Sequence, residues 1–116
     1  MKTNIINHLK YAVKNNEITI LSCGRDISGD VEIPETIDGY PVTEIDAFAF
    51  SFCKNMTSAI IPKSVKQIGK CAFFFNSLPK GLFYSGTYED WKKIKIGESA
   101  IDFNVEVYAI SVDMKR

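Results

Sequence analysis

The sequence predicts a mainly β fold with short helical turns. About three stacked coils of a solenoid lie between an N-terminal β-hairpin cap and a C-terminal helix–strand cap. The first observation is a near-recurrence. Val42-Thr-Glu-Ile-Asp-Ala-Phe-Ala-Phe-Ser-Phe-Cys53 returns 23 residues later as Val65-Lys-Gln-Ile-Gly-Lys-Cys-Ala-Phe-Phe-Phe-Asn76, with five of twelve positions identical. A period of this length implies units that bury their apolar side only against their neighbours. The second is an echo of strands. Val31-Glu-Ile-Pro34 reappears as Ala59-Ile-Ile-Pro62, and Leu82-Phe-Tyr84 falls 23 residues beyond residues 59–61. The third is that the flanking segments carry hairpin and helix-start signals instead of the repeat.

Each element follows in order. Residues 3–10 read as a short helix capped by Thr3 or Asn4. Tyr11-Ala-Val-Lys14 and Glu17-Ile-Thr-Ile20 are β-prone runs around Asn15-Asn16, and asparagine tolerates the positive φ of a two-residue hairpin turn. Cys23 to Asp30 is turn-rich. The first coil starts at Val31. Its proline lies 28 residues before Pro62, five more than the repeat, and Thr36-Ile-Asp-Gly-Tyr-Pro41 holds the excess as an inserted surface turn. After Tyr84 the pattern stops. Thr87-Tyr-Glu-Asp90 has an N-cap threonine followed by first-turn acids, and Trp91 and Ile94 share one helix face. Residues 103–110 are a further β-prone run. The chain divides into a cap (1–30), repeats (31–84) and a second cap (85–116), as one domain.

Within a unit, Ala59 and Ile61 alternate and share an inward strand face. Pro62 ends the strand, because proline cannot donate to a ladder. Val65 and Ile68 lead away from it, and Ala72-Phe73 packs a small and a large side chain beneath the arch. The run Ile61-Pro-Lys-Ser-Val-Lys-Gln-Ile-Gly-Lys-Cys-Ala-Phe-Phe-Phe-Asn76 resembles the repeat of the BspA-like leucine-rich-repeat family. Residues 29–45 resemble that family's first repeat and residues 84–97 its last. Departures are Asp46 where glycine is usual, Asn76 where cysteine is usual, and Pro79 in place of the leucine-like Met56. The resemblance implies a leucine-rich-repeat solenoid that binds proteins or other macromolecules, often within bacterial surface proteins and adhesins. It implies no catalytic residue and no cofactor. The alternative is a structural or self-associating unit of a larger surface protein.

Composition narrows the function classes. Apolar residues make up 46% of the 116, and 14 basic residues balance 14 acidic ones. Such a chain can build a core, and it projects no field that favours nucleic acid. The longest apolar run, Cys71–Phe75, is far below the ~20 residues of a membrane-spanning helix. The N-terminus has no signal-peptide stretch. The expectation is a cytoplasmic protein if Met1 is the natural start, and a surface protein if the chain is part of a longer one. Cys23, Cys53 and Cys71 are an odd count at wide spacing, which is not a disulfide framework. A reduced compartment fits best, with one bridge plus one free thiol as the alternative.

Catalytic and metal constellations are illegible. The cysteine spacings, 30 and 18, contain no C-x₂₋₄-C pair, which argues against a zinc site with His8. His8 lies outside the repeats and reads as exposed. Glu89-Asp90 are explained by helix-start electrostatics, and the glycines lack any nucleotide-loop spacing. Cys53 and Asn76 share one repeat position, which the resemblance makes a Cys/Asn ladder meeting turn backbone. Cys71 should point where Phe48 points. The candidate partner-binding residues are aromatic and aliphatic. Ile60, with Glu32 and Phe83 as its counterparts, faces outward if Ala59 and Ile61 face inward. Phe52 and Phe75, beside Phe74, form a second pair at the repeat spacing. Contiguous exposed apolar surface marks partner sites. The competing expectation is that Trp91 or residues 103–110 cover them.

Overall fold

A computed structural model describes residues 3–6, 8–24 and 26–111. Two parallel ladders run the length of a solenoid. In the first sheet an antiparallel hairpin, β2 (Leu9–Lys14) and β3 (Glu17–Cys23), follows β1 (Thr3–Ile6). The strand β3 then pairs in parallel with β6 (Tyr40–Ile45), β6 with β8 (Gln67–Ile68), and β8 with β10 (Lys95–Ile96). The second sheet stacks β4 (Gly29–Glu32), β7 (Met56–Ile61), β9 (Gly81–Tyr84) and β11 (Val107–Ala109). The inserted turn carries β5 (Thr36–Ile37), paired antiparallel with β6.

The registers read from sequence are the registers of the ladders. Glu44 lies against Gln67 and Ala59 against Leu82, both 23 apart, while Val31 lies against Ala59, 28 apart. Asn15 and Asn16 have φ of 54° and 62°, the left-handed pair that a tight hairpin turn requires. Inward positions stack into columns: Ile20, Ile45 and Ile68; Ala49, Ala72 and Ala100; Ala59 and Leu82. Phe50 and Phe73 stack with centroids 5.0 Å apart and planes 2° from parallel. The arch expected from Ala-Phe is therefore the centre of the core.

Three expectations change. Residues 3–6 form a strand, pairing Thr3 with Ala12 and Ile6 with Leu9. Thr and Ile are β-prone, and the open edge of the hairpin offers backbone partners that a four-residue helix could not match. Second, the C-terminal segment does cap the repeats, but as a further turn of the solenoid. Its strands β10 and β11 add to both ladders in parallel, giving about four turns. Ahead of β10 lies α1 (Tyr88–Trp91), where Thr87 accepts a hydrogen bond from the Asp90 amide at 3.0 Å. Third, Phe103 is outside β11 and sits in the turn before it.

The departure at Pro79 has a local solution. Leu78, at φ 40°, is buried beneath the coil and supplies the apolar side chain that Pro79 does not.

Candidate functional site

The segments 46–54, 69–77 and 97–104 link the two sheets and form a third side of the solenoid. They also stack as a ladder. Phe48, Phe50 and Phe52 donate their amides to the carbonyls of Lys70, Ala72 and Phe74, and Cys71 and Phe73 donate to Glu98 and Ala100. The backbone adopts left-handed φ at Phe48 and Phe52, at Cys71 and Phe75, and at Ser99. This conformation is rare for bulky residues, and it recurs here because the inter-coil ladder fixes each turn. At the three phenylalanines it also throws the ring outward.

The outcome is an aromatic strip. Phe52 and Phe75 are 56% and 58% exposed, with centroids 5.0 Å apart, and Phe74 packs against both. Phe103 extends the strip onto the last coil and is fully exposed. Beside it, Phe74, Phe75, Ile101 and Phe103 wall a concavity of about 650 Å³, with Ser99, Asp102 and Asn104 as its polar lining. Asp102 is committed to structure, because its Oδ2 accepts the Phe75 amide at 3.2 Å. Phe103 was absent from the sequence candidates. The signal that finds it is the pair Phe103-Asn104, which repeats Phe75-Asn76 after 28 residues.

Ile60 and Phe83 lie elsewhere, on the outer face of the second sheet in register with Glu32. Tyr108 follows in that row and stacks on Phe83, centroids 5.3 Å apart. The Tyr108 ring also crosses Gly81, where an added Cβ would lie 2.7 Å from Cε2. Both Ile60 and Phe83 are half-buried. The covering expected from residues 103–110 is thus real at Phe83. Trp91 packs on Tyr84 instead. Among the described residues no ring contact joins this pair to the strip.

The polar surroundings are structural. Asp30 accepts from Thr57 and Ser58 at 2.7 and 2.8 Å and from Lys80 at 3.4 Å. The Thr57 hydrogen bond, then that from Ser58, holds its carboxyl below the ordinary aspartate range. Asn76 donates to the carbonyls of Phe50 and Phe73 at 2.6 and 3.0 Å, tying two coils together. Cys53 occupies the same position one coil earlier, but its sulfur is bonded to Cys23. One bridge plus one free thiol is therefore the arrangement, with Cys71 buried. Cys71 shares the backbone conformation of Phe48; the ring reaches solvent and the shorter thiol stops below it. His8 is exposed, 3.3 Å from Asp26, and Glu89 and Asp90 face Lys92 and Lys93. Among the described residues, no three His, Cys, Asp or Glu side chains converge as a metal site would need. No helix there is long and apolar enough to cross a membrane.

Two parallel strand ladders joined by stacked turns define a leucine-rich-repeat solenoid, and solved structures share that fold. A leucine-rich cell surface protein from Faecalibacterium prausnitzii A2-165 superposes with a TM-score of 0.71 and 23% identity over 95% of this chain. A leucine-rich repeat protein from Bacteroides capillosus gives 0.60 and 17% over 94%, and that from T. pallidum gives 0.56 and 21% over 93%. The chain spans 30% of the Faecalibacterium protein, 64% of the T. pallidum one and 99% of the Bacteroides one. Neither a protein-family model nor a curated protein matches the sequence.

Proposed function

We propose that this domain is a non-catalytic binding module of the BspA-like kind, and that a protein or cell-surface macromolecule docks on its turn-side aromatic strip. One observation carries this reading. Phe52, Phe75 and Phe103, from three successive coils, present exposed rings along one line beside an apolar concavity. Rings held by a rigid ladder lose little conformational entropy on contact, which is what makes aromatic anchors effective. The Ile60–Phe83 row is the weaker candidate, because Tyr108 already occupies part of it. A surface setting is supported by the Faecalibacterium neighbour, which is itself described as a cell surface protein.

The test uses arrayed peptides and glycans probed with the purified domain. Alanine at Phe52 and Phe75 together should weaken every specific hit by at least roughly tenfold, the scale of one good hot spot, with unchanged circular dichroism. Hits that survive the double variant place the site elsewhere. Alanine at Ile60 and Phe83 then reads the second face.

A further inference from the structure

We infer that the strip's partner is a second copy of this chain, docked antiparallel so that Phe103 of each protomer enters the concavity of the other. The inference rests on the strip being a binding surface and names what it binds. Three features make the surface self-complementary. The first is a knob beside a hole. Phe103 projects fully into solvent, and next to it Phe74, Phe75 and Ile101 wall the concavity of about 650 Å³. A two-fold axis between the coils that carry segments 69–77 and 97–104 sets Phe103 of one copy against Phe75 of the other, twice, as an isologous contact demands.

The second feature is charge. Lys70 and Glu98 hold equivalent places near the start of the two turn segments that carry Phe75 and Phe103, and both are exposed. Their backbones are adjacent, since the Cys71 amide donates to the Glu98 carbonyl. Neither side chain has an ion-pair partner among the described residues. In the antiparallel arrangement Lys70 of one copy meets Glu98 of the other, twice. A parallel arrangement would instead bring each coil opposite its own equivalent and lose this exchange.

The third feature is area. With each phenylalanine burying on the order of 200 Å² when covered, Phe75 and Phe103, the rings that this axis opposes, expose roughly 300 Å² of ring surface. A standard interface covers about 800 Å² per partner, a little over half of it apolar. Those two rings thus supply more than half of the apolar share that one side of a dimer needs.

Sedimentation of the whole chain across micromolar concentrations tests the idea. The expected result is a monomer–dimer equilibrium that Phe75→Ser weakens by roughly 100-fold, because each ring is used twice. Lys70→Glu and Glu98→Lys should each weaken the dimer by roughly tenfold, two ion pairs turning repulsive in each case. Mixing those two variants should restore association as heterodimers. Both charge changes lie on the surface, so a folding defect in Phe75→Ser would not remove the test. A wild-type monomer at every concentration overturns the second copy as partner, while the array experiment separately decides whether the strip binds another macromolecule. A dimer indifferent to all three substitutions, or variants that do not recover on mixing, also overturns it.

Discussion

Asn76 shows how much one side chain can hold in a solenoid. Its amide is buried and donates to two carbonyls, Phe50 on the preceding coil and Phe73 on its own. Both acceptors lie at the turn, where the two sheets are linked and strand pairing has ended. Removing the donor leaves two carbonyls away from water, and an unsatisfied buried group costs about 1–3 kcal/mol. Asn76→Ala should therefore lower the urea-derived stability by roughly 2–3 kcal/mol. Asn76→Asp should be worse at neutral pH, since a carboxylate cannot donate and would face two carbonyl oxygens. Its deficit should shrink as the pH falls and the carboxyl regains a proton. A loss below about 0.5 kcal/mol for alanine, the range of neutral surface changes, would mean that water replaces the amide.

At the level of elements, the stacking of coils depends on close backbone approach at glycine. A Cβ on Gly69 would lie 2.5 Å from the Ala47 nitrogen, and one on Gly97 would lie 2.6 Å from the Lys70 nitrogen. These obstacles are backbone, held in place by the ladder. Gly69→Ala should cost about 2–3 kcal/mol in urea unfolding, as overpacking does when the neighbour cannot yield. Asp46 occupies the same repeat position one coil earlier and already carries a side chain, with its Oδ1 accepting the Ala47 amide. Alanine there should change stability by no more than about 0.5–1 kcal/mol. Equal costs at the two sites would separate coil spacing from glycine. The same comparison shows what the sequence made legible. The period of 23, the insertion that stretches it to 28, and the inward columns all follow from identity and alternation. The fourth turn does not, because its two strands follow their predecessors by 28 and 25 residues, from Gln67 to Lys95 and from Leu82 to Val107. With no single offset, the phase dissolves. Phe103 was hidden by the same drift, whereas Phe52, Phe74 and Phe75 were readable because they sit where the period still holds. The exposed–covered balance at Ile60 and Phe83 was not readable, since it depends on the position of Tyr108 across a parallel pairing.

For the whole molecule, cap and repeats are joined by a covalent link as well as by the β3–β6 ladder. Cys23 ends β3 in the hairpin sheet, while Cys53 closes the turn segment 46–54. Their separation of 30 residues carries no motif, so spacing alone could not pair them; the solenoid brings them together by returning the chain past β3. At Cys53 the bridge replaces the inter-coil amide contacts that Asn76 makes one coil later. A bridge closing a loop of this length restricts the unfolded chain by about 3–4 kcal/mol in the loop-entropy account. A small solenoid is stabilised by adjacent-coil contacts alone, so loss of the link at one end should loosen the hairpin before the central coils. Reduction should therefore lower unfolding stability by several kcal/mol, and hydrogen exchange should quicken first in β2 and β3. Cys53→Ser should match reduced wild type and be insensitive to reductant. Alkylation of unfolded, unreduced protein should label Cys71 alone, rising to all three cysteines after reduction. Labelling of three cysteines without reductant in freshly purified protein, or stability unmoved by reduction, would show that the cap is held by the β3–β6 ladder and its buried side chains without the bridge.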